Sequence, residues 1–366
     1  MTRLHDLHAQ QGQSPWLDNL RRGWIASGEL QSWIDRGVRG LTSNPTIFAK
    51  AMSETDDYDA ELSELVAGGA SINDAYWRLV LADIRQALAL LRPMHDASGG
   101  DDGFVSVEVS PALADDAAAT VASARQLHDE LAAPNLFVKV PATVAGVEAL
   151  RTVFAEGRSI NVTLIFGIER YRSVMEAYLS GLEAFDGDLS TVHSVASFFV
   201  SRVDVEVDRR LEEIGTDQAL ALRGRAAIAQ ARLAYQAYQE TFTGSRWEAL
   251  AARGARPQKP LWASTSTKNP DYPDTLYVDQ LIGPGTVNTL PDATLAAFED
   301  HGTVARTIDT DVDGAHRLMA ELSALGIDLE EVAAKLEEEG VASFSKSFDE
   351  VLTTLDERAG ELPQGS

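Results

Sequence analysis

A lysine lies in the middle of an apolar segment that is typical of a buried β-strand. Residues 135–150 read NLFVKVPATVAGVEAL, and four apolar residues and a proline surround Lys139. An ammonium group is strongly hydrated and is almost never fully buried without a partner. Six of the 31 basic residues are lysines. Because arginine is so favoured elsewhere, a lysine inside a strand indicates a function that arginine could not serve.

The amine of a lysine can become a nucleophile, whereas the guanidinium of an arginine cannot. Burial disfavours an ammonium and lowers the pKa of an amine, so a buried lysine yields the neutral form, while arginine stays protonated. A neutral amine attacks a ketone carbonyl to form a Schiff base. The iminium then acts as an electron sink when an adjacent carbon–carbon bond breaks. Carboxylates beside Lys139 can move the required protons, and Glu108 and Asp18 are the candidates.

The segments that carry these residues alternate between strand and helix. Eight strands are predicted, at 15–19, 38–43, 104–109, 136–140, 159–166, 192–199, 260–265 and 276–282. Helical periodicity is found at 28–36, 56–92, 112–132, 145–156, 167–185, 200–251 with breaks, and from 292 onward with a glycine break at Gly340.

This alternation predicts an α/β fold, a (β/α)8 TIM barrel. Strands that alternate with helices imply right-handed parallel crossovers, and eight such units suggest a closed barrel. We expect a single barrel domain over residues 1–366, with extra C-terminal helices from about residue 292. An open doubly wound sheet is the alternative, but no GxGxxG loop follows the first strand, which argues against its nucleotide-binding forms.

Within each predicted strand, apolar residues share one face and polar residues share the other. In a barrel one of these faces points inward. The residues predicted to point inward are Phe104, Ser106, Glu108, Phe137, Lys139, Asn161, Thr163, His193, Val195, Ser197, Phe199, Trp262, Ser264 and Ser266. Polar groups therefore converge inside the barrel, where they must satisfy one another or a ligand.

Each member of this polar set also has a structural interpretation. It is a turn or helix-cap residue for Asp18 and Asn44, a layer filler for Thr163 and Ser197, and a buried ion pair for Glu108 with Lys139. His193 is more often a core histidine than a catalyst, so it is left out of the predicted site. The functional interpretation therefore depends on the set rather than on one residue.

Composition excludes several classes of function. The net charge is −25, and nucleic acids and anionic membranes are bound through basic patches, so neither is an expected partner. The N-terminal segment has no apolar signal region, and no segment reaches the ~18 apolar residues of a membrane span, so we expect a cytoplasmic protein. Cysteine is absent and no His/Asp/Glu spacing indicates a metal site, so no metal and no cofactor are predicted. The sequence leaves the oligomeric state open, a homo-oligomer included.

Seven segments of the chain resemble motifs of the transaldolase family. The members of this family are class I Schiff-base aldol transferases with a (β/α)8 barrel. The segments are GLTSNPTIF (40–48), VSVEVSP (105–111), LFVKVPAT (136–143), INVTLIF (160–166), VASFFVSRVD (195–204), LWASTSTKNP (261–270) and GVASFSKSFDEVL (340–352). They follow in the order expected for the family and span nearly the whole chain. TSNPTIF and INVTLIF are the most specific.

The resemblance implies a catalytic role for three residues. Lys139 resembles the Schiff-base lysine. Glu108 resembles the glutamate that works with a catalytic water in carbinolamine formation and dehydration. Asp18, in WLDNL, is similar in position to the aspartate that takes and returns the proton of the substrate's C4 hydroxyl.

The resemblance also implies substrate-binding residues on four other segments. Asn44 and Asn161 are similar to the amides that hold the dihydroxyacetone hydroxyls, and Thr163 to the residue that places the catalytic water. Ser197 and Phe199 follow the strand-6 pattern of the family.

The seventh strand departs from the family pattern. Other branches carry Ser-x-Arg there for the substrate phosphate, whereas this chain has Ser264, then Ser266 and Lys268. Barrels often bind phosphate after strands 7 and 8, so Lys268 is the expected substitute for the arginine. Arg202, just after strand 6, is the second candidate.

The activity implied by the resemblance is that of a transaldolase in the non-oxidative pentose phosphate pathway. It moves a dihydroxyacetone unit from sedoheptulose 7-phosphate to glyceraldehyde 3-phosphate, giving erythrose 4-phosphate and fructose 6-phosphate. A fructose-6-phosphate aldolase, which releases free dihydroxyacetone, is the nearest alternative, but it resembles the family with glutamine and tyrosine in place of Glu108 and Phe199. A non-catalytic sugar-phosphate-binding barrel is the alternative from another class, and the presence of both Lys139 and Glu108 argues against it.

Overall fold

Eight parallel strands close into a barrel in the computed structural model, which describes residues 1–361. The strands are β1 (Gln13–Leu17), β2 (Leu41–Thr42), β3 (Val105–Glu108), β4 (Leu136–Pro141), β5 (Ile160–Ile165), β6 (Ser194–Phe199), β7 (Lys259–Ala263) and β8 (Thr286–Leu290). Each strand pairs with its neighbours in sequence, and β1 closes the barrel by pairing with β8. The predicted (β/α)8 TIM barrel is confirmed.

Helices surround the barrel and extend beyond it at the C-terminal end. They are α1 (Arg3–Gln11), α2 (Arg22–Ser27), α3 (Glu29–Asp35), α4 (Pro45–Glu54), α5 (Asp59–Ala67), α6 (Ile72–Ala97), α7 (Ala117–Leu131), α8 (Val144–Ala155), α9 (Ile168–Ala184), α10 (Ser201–Ile214), α11 (Asp217–Leu220), α12 (Ala226–Thr241), α13 (Gly244–Ala251), α14 (Leu276–Asp279), α15 (Asp292–His301), α16 (Val312–Ala324) and α17 (Leu329–Glu361). Among residues 1–361 no helix is long and apolar enough to cross a membrane.

The barrel strands are buried on both faces, as is usual for parallel strands covered by helices. Val138 and Val140 of β4 are fully buried beneath the helices, while Lys139 between them is on the opposite face. This alternation places Lys139 inside the barrel.

The eighth strand was predicted at the wrong place. Residues 276–282 contain the short helix α14, and β8 begins at Thr286. The apolar residues Tyr277 and Val278 are buried, but they belong to one turn of helix and not to a strand. The correct signal follows Pro284 and Gly285, where a turn with a positive φ at the glycine leads into the β-branched segment TVNTL.

Helix boundaries also differ from the predicted ones. Residues 56–92 contain all of α5 and most of α6 rather than one helix, and the N-terminal helix α1 was not predicted. No break occurs at Gly340, because α17 runs without interruption from Leu329 to Glu361. A Cβ at Gly340 would lie 2.9 Å from Leu164 Cδ2, so this glycine lets α17 approach the end of β5 closely.

Candidate active site

Glu108 and Lys139 are neighbours at the carboxyl side of β3 and β4. They are partners in the β3–β4 register, and Lys139 Nζ lies 3.2 Å from Glu108 Oε2. Lys139 Nζ also donates a hydrogen bond of 3.3 Å to the carbonyl oxygen of Ser43. Lys139 is 4% exposed and Glu108 is 8% exposed. The lysine that the sequence placed in an apolar strand therefore has a buried carboxylate as its partner.

Asp18 follows the last residue of β1 and lines the same cavity as Lys139. Thr42 Oγ1 donates a hydrogen bond of 2.7 Å to Asp18 Oδ1, and it lies 2.6 Å from Thr289 Oγ1. Thr42 of β2, which itself contacts Thr289 of β8, therefore holds the carboxyl group of Asp18 in the cavity that Lys139 lines.

Burial alters the protonation of both carboxyl groups. Burial raises the pKa of Glu108, and the charge of Lys139 opposes this effect. Burial also raises the pKa of Asp18, opposed by Lys139 and by the hydrogen bond from Thr42. A carboxyl group whose pKa is raised toward neutrality is suited to taking and returning protons.

The cavity that contains Lys139 has a volume of about 350 Å³ and opens at the carboxyl ends of the strands. Ten of the twelve predicted site residues line it: Asp18, Asn44, Lys139, Thr163, Ser197, Phe199, Arg202, Ser264, Ser266 and Lys268. In (β/α)8 barrels this is the face at which active sites are built, and its polar lining is suited to a small polar ligand.

Two predicted residues, Glu108 and Asn161, do not line this cavity. Asn161 is fully buried; its Nδ2 donates a hydrogen bond of 3.0 Å to Ser106 Oγ, and its Oδ1 accepts one of 2.7 Å from Ser197 Oγ. In this arrangement Asn161 holds Ser197, and Ser197 is the member of the pair that lines the cavity.

Asn44 is both a helix-cap residue and a residue of the cavity. It is the N-cap of α4, where its Oδ1 accepts a hydrogen bond of 3.0 Å from the backbone N–H of Ile47, and it also lines the cavity. The cap uses the oxygen of the side-chain amide, so the amide nitrogen can still donate to a ligand.

The predicted orientation of β7 was wrong. Phe199 pairs with Ala263 in the β6–β7 register, so Ala263 points inward and Trp262 points outward, where it packs on Phe198 with ring centroids 6.2 Å apart. Ser264 has a φ of 54°, which ends the regular alternation at this residue. Ser264 and Ser266 therefore line the cavity although the strand parity is reversed.

Three cationic side chains besides Lys139 line the cavity, Lys50, Arg202 and Lys268, and the last two act on each other electrostatically. Burial lowers the pKa of Lys268, and the positive charge of Arg202 lowers it further. Lys268 Nζ donates a hydrogen bond of 2.7 Å to Ser266 Oγ. The guanidinium of Arg202 lies 5.2 Å from the ring centroid of Phe199. Two close cations and a hydroxyl form a suitable site for an anion such as a phosphate.

Several residues of the cavity were missed from the sequence: Asn19, Thr42, Thr46, Ile47, Lys50, Thr289, Pro291, Asp292, Ser343 and Phe344. Thr42 could have been predicted from strand alternation. It pairs with Ser106, which was predicted to point inward, so its side chain is on the same inner face. Phe344 could not, because it comes from α17, and only the fold brings its ring centroid to 5.7 Å from Lys139 Nζ.

Comparison with known proteins gives a consistent result. A model of the family Transaldolase/Fructose-6-phosphate aldolase matches residues 15–355. The chain is 52% identical to a transaldolase from Thermobifida fusca, over 93% of this chain and 94% of that protein. It is 51% identical to one from a Parafrankia species, over 98% of each chain, and 53% identical to one from Saccharopolyspora erythraea, over 95% of each.

Proposed function

The chain belongs to the transaldolase/fructose-6-phosphate aldolase family, and from this premise we propose how its site carries out the reaction. Its function is that of a transaldolase, a transferase, because relatives of that name are about 50% identical over nearly the full length.

Sedoheptulose 7-phosphate binds with its phosphate at Arg202 and Lys268 and its ketone at Lys139. The amine of Lys139 attacks the C2 carbonyl carbon to give a carbinolamine, and loss of water then gives the iminium. Glu108, working with a water placed by Thr163, gives and takes the protons of these two steps. The 3.2 Å contact between Glu108 Oε2 and Lys139 Nζ supports this assignment.

Asp18 takes the proton of the C4 hydroxyl, and the C3–C4 bond breaks as its electron pair moves into the iminium. Erythrose 4-phosphate leaves, and a dihydroxyacetone enamine remains on Lys139. Glyceraldehyde 3-phosphate then enters, the enamine carbon attacks its aldehyde, and Asp18 returns the proton to the new hydroxyl. Hydrolysis of the iminium releases fructose 6-phosphate and restores the amine.

The observation that carries this proposal is the buried contact of Lys139 with Glu108 at a cavity that three further cationic residues line, Lys50, Arg202 and Lys268. Borohydride reduction in the presence of fructose 6-phosphate should attach the sugar covalently to the chain, and peptide mapping should place it on Lys139. An unmodified chain after reduction would overturn the proposed Schiff base.

Transfer and release of dihydroxyacetone can be separated by one measurement. Glu108 and Phe199 stand where fructose-6-phosphate aldolases are expected to have glutamine and tyrosine, which supports transfer. With fructose 6-phosphate alone, free dihydroxyacetone should accumulate slowly; with erythrose 4-phosphate added, sedoheptulose 7-phosphate should form rapidly. Rapid dihydroxyacetone release without an acceptor would instead indicate an aldolase.

We retain two sequence predictions as proposals, a cytoplasmic location and a single barrel domain that includes the C-terminal helices. The phosphorylated substrates support the location, because charged sugars do not cross membranes unaided. Contacts of α17 with α4, α5 and α6 support the single domain. Cell fractionation tests the first proposal, and a single cooperative unfolding transition followed by two probes tests the second.

A further inference from the structure

Glu108 borders a small cavity that is separate from the substrate cavity. This small cavity has a volume of about 10 Å³, which is about the space that one water molecule needs. Its polar lining residues include Ser43, Asn44, Tyr76, Glu108 and Ser110; Asn44 also lines the substrate cavity, whereas Lys139 and Asp18 line the substrate cavity alone. A buried water needs two to four polar partners, and this lining provides them.

Tyr76 is held rigidly at this cavity. It is 3% exposed, and the rings of Trp77 and Phe348 meet it edge-on, with centroids 5.4 and 5.1 Å away. Tyr76 and Glu108 line the same small cavity. Burial raises the pKa of Tyr76, and the charge of Glu108 raises it further. The phenol therefore stays protonated and can donate a hydrogen bond.

Glu108 has an oxygen that can accept such a bond. Its Oε2 is buried and, despite lying 3.2 Å from Lys139 Nζ, has no partner with hydrogen-bond geometry among residues 1–361. A buried acceptor of this kind costs free energy unless a partner is supplied. Among the residues of the small cavity, Tyr76 is suited to supply it through one water.

We propose that Tyr76 is a positioning residue for Glu108, acting through a water molecule in the small cavity. The hydroxyl of Tyr76 donates to the water, and the water donates to the carboxylate of Glu108. Tyr76 touches no substrate in this arrangement. It fixes the orientation of the carboxylate and favours its ionised form, as the charges of Lys139 and Arg202 also do, whereas the charge of Asp18 opposes ionisation. The inference rests on the proposed role of Glu108 in forming the Schiff base.

The test is the variant Tyr76→Phe, which removes the hydroxyl and keeps the ring. One net hydrogen bond corresponds to a change of about three- to ten-fold, so the rate of borohydride trapping should fall by that factor while KM for fructose 6-phosphate stays unchanged. Loss of a donor disfavours the carboxylate, so the limb of the pH–rate profile that depends on Glu108 should move to higher pH.

A matched control is available in Tyr171→Phe. Tyr171 is also fully buried, its hydroxyl has no hydrogen-bond partner among residues 1–361, and it lines neither cavity. This variant should trap at the wild-type rate. If Tyr76→Phe also traps at the wild-type rate with an unchanged pH profile, the inference is overturned.

A double variant distinguishes action through Glu108 from a general loss of structure. In a Glu108→Gln background, Tyr76→Phe should add no further slowing, since the group on which it acts is already neutral. Full additivity of the two effects would contradict the inference. Absence of any trapping in the wild type would instead contradict the proposed function, so the two failures are distinguishable.

Discussion

Glu108 Oε2 and Lys139 Nζ lie 3.2 Å apart on residues that are direct partners across β3 and β4. Both side chains are buried, so removing one charge leaves the other uncompensated, at a cost of about 3–5 kcal/mol for a buried pair. Tests of function at these positions therefore need substitutions that change side-chain length little, and thermal unfolding of each variant must be measured alongside its activity.

Lys139 is expected to be the only residue that borohydride fixes to the substrate. Lys50 and Lys268 line the same cavity, so their peptides serve as internal controls in the mapping. The variant Lys139→Met is one atom shorter than the lysine and lacks the amine, and it should show neither trapping nor transfer. Label on Lys50 or Lys268, or activity in Lys139→Met, would show that the nucleophile is another residue.

Glu108 and Asp18 are expected to affect different steps. Glu108→Gln should slow Schiff-base formation, whereas Asp18→Asn should slow carbon–carbon cleavage more than Schiff-base formation, because Asp18 acts after the iminium exists. Each effect should be roughly 10²–10⁴-fold, the usual contribution of a positioned acid or base. Single-turnover trapping measures the first step and erythrose 4-phosphate release the second. A wild-type trapping rate in Glu108→Gln would leave the glutamate with a structural role.

The sequence was sufficient for the fold class because seven of the eight strands overlap short apolar segments that alternate with helical ones. The eighth was misplaced because LYVDQLI is as apolar as a strand, while the true strand TVNTL alternates weakly. A four-residue helix and a short strand cannot be told apart by periodicity alone. The closure of the barrel, which pairs β8 with β1, decides between them.

Prediction of the site was limited by side-chain geometry. Strand parity correctly placed Lys139 and Glu108 on one face, because both belong to regular strands. It failed at β7, since the positive φ of Ser264 is set by the fold and has no local sequence signal. Likewise, Phe344 is separated from Lys139 by about two hundred residues, and no spacing rule links a distant helix to a strand residue.

Binding of the substrate phosphate is expected to depend on Lys268 and Arg202. The net charge of −25 repels an anionic substrate at long range, so affinity must come from local cations. A charge-assisted hydrogen bond contributes ~1.5–3 kcal/mol, so Lys268→Ala should raise KM for phosphorylated substrates roughly ten- to a hundred-fold. Trapping of unphosphorylated dihydroxyacetone should change little, which is the control for an intact Schiff-base site.

The same pair of assays on Arg202→Ala assigns the larger contribution. If Lys268→Ala leaves KM at the wild-type value while Arg202→Ala raises it, the phosphate is held by Arg202 and the interpretation of strand 7 is wrong. Lys346→Ala is a matched control, because this lysine is exposed and does not line the cavity.

A buried carboxyl group outside the substrate cavity is expected to make the stability of the fold depend on pH. Asp204 accepts hydrogen bonds of 2.7 Å from the backbone N–H of Ala227 and 2.8 Å from Tyr277 Oη. Burial raises the pKa of Asp204 from 3.8 to about 7; these hydrogen bonds lower it, and the charge of Asp208 raises it. Between about pH 4 and pH 7 the folded chain therefore binds more protons than the unfolded chain, and this contribution to stability is lost as pH rises.

Asp204→Asn should remove this part of the pH dependence. The amide oxygen can still accept the bond from the backbone N–H of Ala227, and the amide nitrogen can donate to the hydroxyl oxygen of Tyr277, but the side chain no longer titrates. The free energy of unfolding of the wild type should fall by at most roughly 4 kcal/mol from this group between pH 4 and pH 8, and that of the variant should fall by correspondingly less. Urea denaturation at several pH values measures both, with Asp217→Asn at an exposed position as the control. Parallel curves for wild type and Asp204→Asn would show that Asp204 does not take up a proton on folding.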